Sequence, residues 1–396
     1  MKIGGIYIGG WFQRTTLQLS EVYDFLKYAT SQLKLDKNKL VKLWEALDIN
    51  RDIGVHYKIE GLEYLTYTTN SNIAIKIFED GLITLHKNDV MDISVFRETD
   101  FLADYYENCL SKAINYIFSL GAPVPKELAN IKSVYPYFIV LNKGTKEDID
   151  LLISKTENQK YFEYSSEKYD IDRGDIYYFI NNKKASEIEV ERYIEEQIFI
   201  REFKAQLHRY LNMHRIIWEK IADVKENANI TGKEIIKCSN KIDGYAKTVN
   251  LIEGRINQMS SYIKTRERLA KDDVSLRESL DLIGYRYETL NNTLSYIKDL
   301  WKMTSNYVNS AGKLFNNLKG DVTNKSISDL TIVTAMGVGA SLIDLFTESE
   351  PRFSLFGLVY FFILALIGFS VTKFMGYIAS KKKYEINDIE YDKNIK

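Results

Sequence analysis

The segment Trp11-Phe12-Gln13-Arg14-Thr15-Thr16 sets two aromatic faces beside a guanidinium and two hydroxyls. An aromatic face stacks on a nucleobase, and a guanidinium with neighbouring hydroxyls holds phosphate, so Trp11, Arg14 and Thr15 are the candidate ligand-binding residues. Aromatic residues at a strand end more often belong to a core, and that reading competes with the first. No catalytic constellation accompanies the group. Gly4, Gly5, Gly9 and Gly10 lack dinucleotide spacing, while Gly232-Lys233 lacks both the upstream glycine and the following hydroxyl residue of a phosphate loop. His208 and His214 are six residues apart, which does not bring them together as an i, i+4 metal pair would be. No catalytic residue and no metal ligand is therefore assigned. Cys109 and Cys238 are too few for a disulfide framework and point to a reducing compartment.

Composition narrows the classes further. The 396 residues carry 53 Lys+Arg against 54 Asp+Glu, a formal charge of -1. Duplex binding needs many unopposed cations to displace counterions, so no direct nucleic-acid partner is expected. Only four prolines interrupt the chain, which leaves room for long helices. The opening Met-Lys-Ile-Gly-Gly lacks the apolar stretch of a signal peptide, so membrane insertion is expected only from later segments.

Residues 1–184 alternate strand and helix patterns and form the expected α/β domain. Ile3 to Phe12, Val55 to Ile59, Leu62 to Thr69, Ile73 to Phe78 and Leu82 to His86 read as strands, with Glu79-Asp80-Gly81 as a turn. Ser20 to Leu33, Asp36 to Leu47 and Asp92 to Leu120 read as helices, and Pro123 and Pro125 mark a linker. Tyr137 to Leu141, Lys146 to Ser154, Tyr161 to Tyr164 and Ile176 to Ile180 complete the layer.

From Ala185 to Leu318 there is no proline, and apolar residues recur at spacings of three and four. The series Leu276, Leu280, Ile283, Tyr287, Leu290, Leu294, Ile297, Trp301 and onward to Leu318 keeps a coiled-coil repeat. Two earlier series, from Ile200 to Val224 and from Ile242 to Ile263, do the same. Breaks at Asn227 to Lys233 and Ala270 to Ser275 divide the region into helices near 187–228, 233–270 and 274–346, although the heptad phase also permits one bent helix across Gly232. A seam this long needs partners, and self-association is the economical solution.

Two apolar runs follow, Leu330 to Phe346 and Phe353 to Val371, joined by Thr347 to Arg352. They read as a transmembrane hairpin in a lipid bilayer, and Lys381-Lys382-Lys383 places both chain ends on the cytoplasmic side of a cell inner membrane. If copies of the third helix gather round an axis, Asp329, Met336, Ile343 and the interfacial Asp344 are the candidate pore residues, the apolar ones gating by dewetting. Glu348 and Glu350 in the outer loop would then concentrate cations such as a divalent ion. The resulting divisions are a cytoplasmic domain at 1–184, a helical hairpin at 185–270, a stalk at 271–329, a two-helix membrane region at 330–380 and a basic tail at 381–396. The expected fold class is thus an α+β domain, a long helical hairpin and stalk, and two C-terminal transmembrane helices.

This layout resembles the CorA family of divalent-cation channels over most of the chain. The family's Gly-Met-Asn signature is missing, since the matching stretch reads Asp344-Leu345-Phe346-Thr347-Glu348. The opening Gly9-Gly10-Trp11-Phe12-Gln13-Arg14-Thr15-Thr16-Leu17-Gln18-Leu19-Ser20-Glu21 looks like the divergent CorA proteins associated with type III CRISPR systems. That resemblance implies a homopentameric antiviral membrane effector that binds S-adenosylmethionine-AMP and opens a pore or disrupts the bilayer. A constitutive magnesium-type channel and a membrane-anchored coiled-coil scaffold are the rival expectations.

Overall fold

The computed structural model describes residues 2–12, 19–88, 90–117, 135–225, 229–273, 276 and 280–347, together with scattered positions from 363 to 385. Its organising element is a nine-stranded sheet. The strands are β1 (Ile3–Trp11), β2 (His56–Glu60), β3 (Leu62–Thr68), β4 (Ala74–Phe78), β5 (Leu82–Lys87), β6 (Tyr137–Asn142), β7 (Lys160–Ser165), β8 (Tyr169–Gly174) and β9 (Tyr177–Asn182). They lie in the order β2-β3-β4-β5-β1-β6-β9-β8-β7. Only the β6–β9 pair is parallel, with Ile139 opposite Phe179.

Period-two alternation gives this sheet two different covered faces. Ile6 and Ile8 of β1, Ile75 and Ile77 of β4, and Ile139 and Leu141 of β6 enter one hydrophobic cluster with residues of five helices. These are α1 (Leu19–Tyr28), α2 (Lys37–Ala46), α3 (Val95–Tyr105), α4 (Ser111–Ile117) and α5 (Lys146–Ser154). Each buried isoleucine contributes about 1.5–3 kcal/mol of transfer free energy. The intervening residues Tyr7, Gly9 and Trp11 point to the other face, which the long helix α6 (Glu187–Lys225) covers. Gly9 is required there because a Cβ would press on Ile198 of α6 and overlap the Ile83 carbonyl.

Two more long helices follow, α7 (Gly232–Asp272) and α8 (Leu280–Thr347). Their starts are chemically defined. Ser186 and Glu189 cap each other's backbone N–H at the head of α6, at 3.2 and 2.7 Å. At the head of α7 the Glu234 carboxylate accepts from the Thr231 N–H at 2.9 Å. The expected boundaries near 187–228, 233–270 and 274–346 lie close to these.

Seam positions Ile283, Tyr287, Leu290, Leu294, Ile297, Trp301, Thr304, Val308, Ala311 and Phe315 are all buried within the single chain. These positions of the seam are therefore covered by the chain itself.

The chain divides into two compact units, Met1–Leu211 with Leu251–Asp299, and Asn212–Asn250 with Leu300–Lys396. The unit boundaries fall inside the three long helices, after Leu211, Asn250 and Asp299. In the second unit Trp218 stacks on Tyr307 at 4.5 Å and His214 meets Trp301 edge-on at 6.0 Å. A short ladder joins β10 (Asn229–Thr231) to β11 (Lys383–Glu385), so the end of the lysine run pairs with the turn before α7.

The expected pair of transmembrane helices is corrected: among the described residues no helix is long and apolar enough to cross a membrane. The run Leu330 to Phe346, at the end of α8, holds 17 residues interrupted by Thr331, Thr334, Ser341 and Asp344. At 1.5 Å per residue it reaches roughly 25 Å, short of the ~30 Å hydrocarbon layer. Most of the second run, Phe353 to Val371, lies outside the described residues. Multi-pass insertion in an inner membrane has no support from the described helices.

Candidate functional site

Two charged centres lie in the first unit on the α6 face of the sheet. The first is built from the β4–β5 turn. Gly81 takes φ +93°, where a side chain would overlap the Phe12 carbonyl, and this tight turn presents Asp80 to the helices. Arg266 of α7 forks onto the Asp80 carboxylate at 2.5 and 3.1 Å and reaches the Glu196 carboxylate of α6 at 3.0 Å. The Tyr287 hydroxyl of α8 donates to the other oxygen of Glu196. Arg266 also lies over the rings of Phe78 and Phe199, 4.9 and 5.3 Å from their centroids. Burial opposes its charge, yet Asp80 and Glu196 outweigh that and raise its pKa. Burial likewise raises the Glu196 carboxyl against the pull of Arg266 and Tyr287. All four side chains are buried, so this ionic clamp ties the sheet to α6, α7 and α8 at one point.

The second centre is a cavity of about 230 Å³ lined by Arg173, Ile200, Arg201, Lys204, Tyr285, Arg286, Thr289 and Leu290. Alternation along β8 puts Arg173 on the same face as Tyr169, which stacks on Tyr193 of α6. On α6 the i, i+3 spacing brings Arg201 and Lys204 together, and on α8 the i, i+4 spacing does the same for Tyr285 and Thr289. Arg201 is engaged by the Pro136 carbonyl at 2.6 Å, the Gly9 carbonyl at 2.9 Å and the Glu202 carboxylate at 2.9 Å. Arg286 donates to the neutral groups of Tyr285 and Gln197. The guanidinium of Arg173 is held between the rings of Tyr161 and Tyr178, at 5.4 and 5.7 Å, with its Nε buried and without an acceptor among the described residues. Among the described residues neither Arg173, Lys204 nor Arg286 has a carboxylate within ion-pair distance, so the cavity presents cations to an anion.

The sequence-derived candidates are distributed differently. Trp11 is 3% exposed; its indole N–H donates to the Asp80 carbonyl at 2.8 Å, and its ring packs on Phe199, Phe203 and Tyr262. It belongs to the core around the clamp and offers no open face to a base. Arg14 and Thr15 lie outside the described residues, as do Glu348 and Glu350. Asp329, Met336, Ile343 and Asp344 fall on the last part of α8, with side chains outside the described set. No cluster of His, Cys, Asp or Glu able to hold a metal ion occurs among the described residues.

The residues of both centres escape motif reading. Asp80 and Arg266 are 186 positions apart, and Arg173 and Arg286 belong to different elements joined only by the fold. The available signals were local: the Glu79-Asp80-Gly81 turn and the cations lying off the heptad seam at Arg201, Lys204 and Arg286. Compared with known proteins, the chain matches no protein-family model and no curated protein. The CorA-like resemblance therefore stands on the sequence layout alone.

Proposed function

We propose that the chain is a messenger-responsive helical transducer. Its first unit binds a small nucleotide of the S-adenosylmethionine-AMP kind, the ligand implied by the resemblance to CorA proteins of type III CRISPR defence. The observation that carries this reading is the clamp of Arg266. One turn of the sheet is bonded to α7 through Asp80, and through Arg266 and Glu196 to α6 and α8. A ligand bound where helices meet the sheet can shift them only if it favours one arrangement over another, and in this reading the two arrangements are the junction made and the junction broken.

The pore-forming and magnesium-channel readings both rest on membrane-crossing helices, which the described residues do not supply, and they are not carried forward. Hydrogen exchange of the full chain with and without S-adenosylmethionine-AMP tests the proposal. The expected result is altered protection in Glu196–Leu207, Ile263–Ala270 and Ile283–Leu294. Unchanged exchange at saturating ligand, or altered exchange with magnesium alone, would contradict it.

A further inference from the structure

We infer that the cavity between β8, α6 and α8 is a phosphoryl-binding site, with Arg173, Lys204 and Arg286 as its anion ligands and Tyr285 as a stacking platform at its mouth. This rests on the messenger reading above and assigns the part of the ligand that the cavity takes.

Charge comes first. Three of the four lining cations have no carboxylate partner among the described residues, whereas Lys76 of β4 and Arg192 of α6 are paired. Lys76 lies 2.9 Å from Glu191 and 3.1 Å from Glu195, and Arg192 lies 2.9 Å from Glu60. Clustering unpaired like charges is unfavourable unless an anion enters, and a phosphate brings several acceptor oxygens to a guanidinium fork. Arg173 is pre-positioned, because two tyrosine rings fix its plane without consuming its N–H groups. Arg286 is oriented by Gln197 and Tyr285, both neutral, so its charge is not cancelled.

Size comes second. About 230 Å³ is below the ~300–1,000 Å³ of sites that enclose a drug-sized ligand, so the cavity takes a phosphate or sugar-phosphate portion and leaves the rest outside. Tyr285 is 58% exposed beside it, where a base can lie on its ring. The ligand class is accordingly a phosphate ester bearing a planar aromatic group, and inorganic phosphate is the minimal probe.

Calorimetric titration of the full chain with inorganic phosphate, AMP and S-adenosylmethionine-AMP tests this, using wild type, Arg173→Gln, Lys204→Ala and Tyr285→Ala. Lys204 and Tyr285 are exposed, so those variants keep the wild-type circular dichroism spectrum even if Arg173→Gln does not fold. The inference expects Arg173→Gln and Lys204→Ala to weaken every phosphate-bearing probe at least tenfold. It expects Tyr285→Ala to weaken AMP while sparing inorganic phosphate. Binding of AMP or phosphate that depends on Lys204, with no binding of S-adenosylmethionine-AMP, keeps the site and removes the messenger reading. Wild-type affinity for S-adenosylmethionine-AMP in all three variants keeps the messenger reading and overturns the site. Absence of binding by any probe at millimolar concentration also overturns the site.

Discussion

The clamp and the cavity sit in the same unit and use the same side-chain chemistry, yet they treat charge in opposite ways. At the clamp one guanidinium meets two carboxylates, one of which also accepts from a phenol, and every charged group finds a partner out of water. At the cavity Arg173, Lys204 and Arg286, which have no carboxylate partner among the described residues, face a space large enough for a small anion. A completed network holds a structure together, whereas an incomplete one of a single sign holds a place for something else.

Breaking the clamp is expected to give the largest effect. Arg266→Met leaves Asp80 and Glu196 buried without their cation and is predicted to lower unfolding free energy by about 3–5 kcal/mol in urea titrations. A loss below about 1 kcal/mol would show that water already reaches the carboxylates. Tyr287→Phe removes only the hydroxyl that Glu196 accepts from and is predicted to cost about 1–3 kcal/mol, measured the same way.

A third charged contact sharpens the comparison through pH. His86 stacks on Tyr7 at 5.3 Å, its Nδ1 is 3.8 Å from Glu191, and Lys76 lies near. Burial lowers its pKa below the ordinary 6.5, Lys76 adds to this, and Glu191 only partly compensates. Its contribution is therefore fully present above pH 6.5. As pH falls from 6.5 through the lowered native value, the unfolded chain takes up a proton that the folded chain resists, and stability declines. Urea midpoints should drop between pH 7 and pH 5.5 in wild type, and the drop should shrink in His86→Gln.

The smallest effect belongs to the cavity without ligand. Lys204→Ala is predicted to change stability by no more than about 0.5 kcal/mol, because the residue is exposed and has no ion-pair partner among the described residues. A larger loss would mean that Lys204 supports the fold and is not reserved for an anion.

Much of the architecture was legible because it is local. Alternation in Ile75-Lys76-Ile77, the turn at Glu79-Asp80-Gly81 and the seam from Ile283 to Phe315 each follow from near-neighbour spacing. Strand β8 escaped because Tyr169-Asp170-Ile171-Asp172-Arg173-Gly174 carries two carboxylates and ends in glycine, a pattern that reads as a turn. The expected membrane hairpin failed at Leu330 to Phe346, where hydroxyls and Asp344 break a run that already falls short of the bilayer. Trp11 shows the limit for sites: its neighbours in sequence suggested a ligand platform, while its neighbours in space, Phe199, Phe203 and Tyr262, make it core. Arg286 was visible only as a cation off the heptad seam and Arg173 not at all, since the folded sheet and α8 bring them to one cavity.

The most direct test of the central claim is equilibrium unfolding of wild type and Lys204→Ala at rising S-adenosylmethionine-AMP concentration. A ligand that binds only the folded chain raises stability by RT ln(1 + [L]/Kd), so a tenfold weaker site needs tenfold more ligand for the same rise. The account predicts that the wild-type curve climbs and the Lys204→Ala curve is displaced to at least tenfold higher concentration. Superimposed climbing curves, or two flat ones, would contradict it.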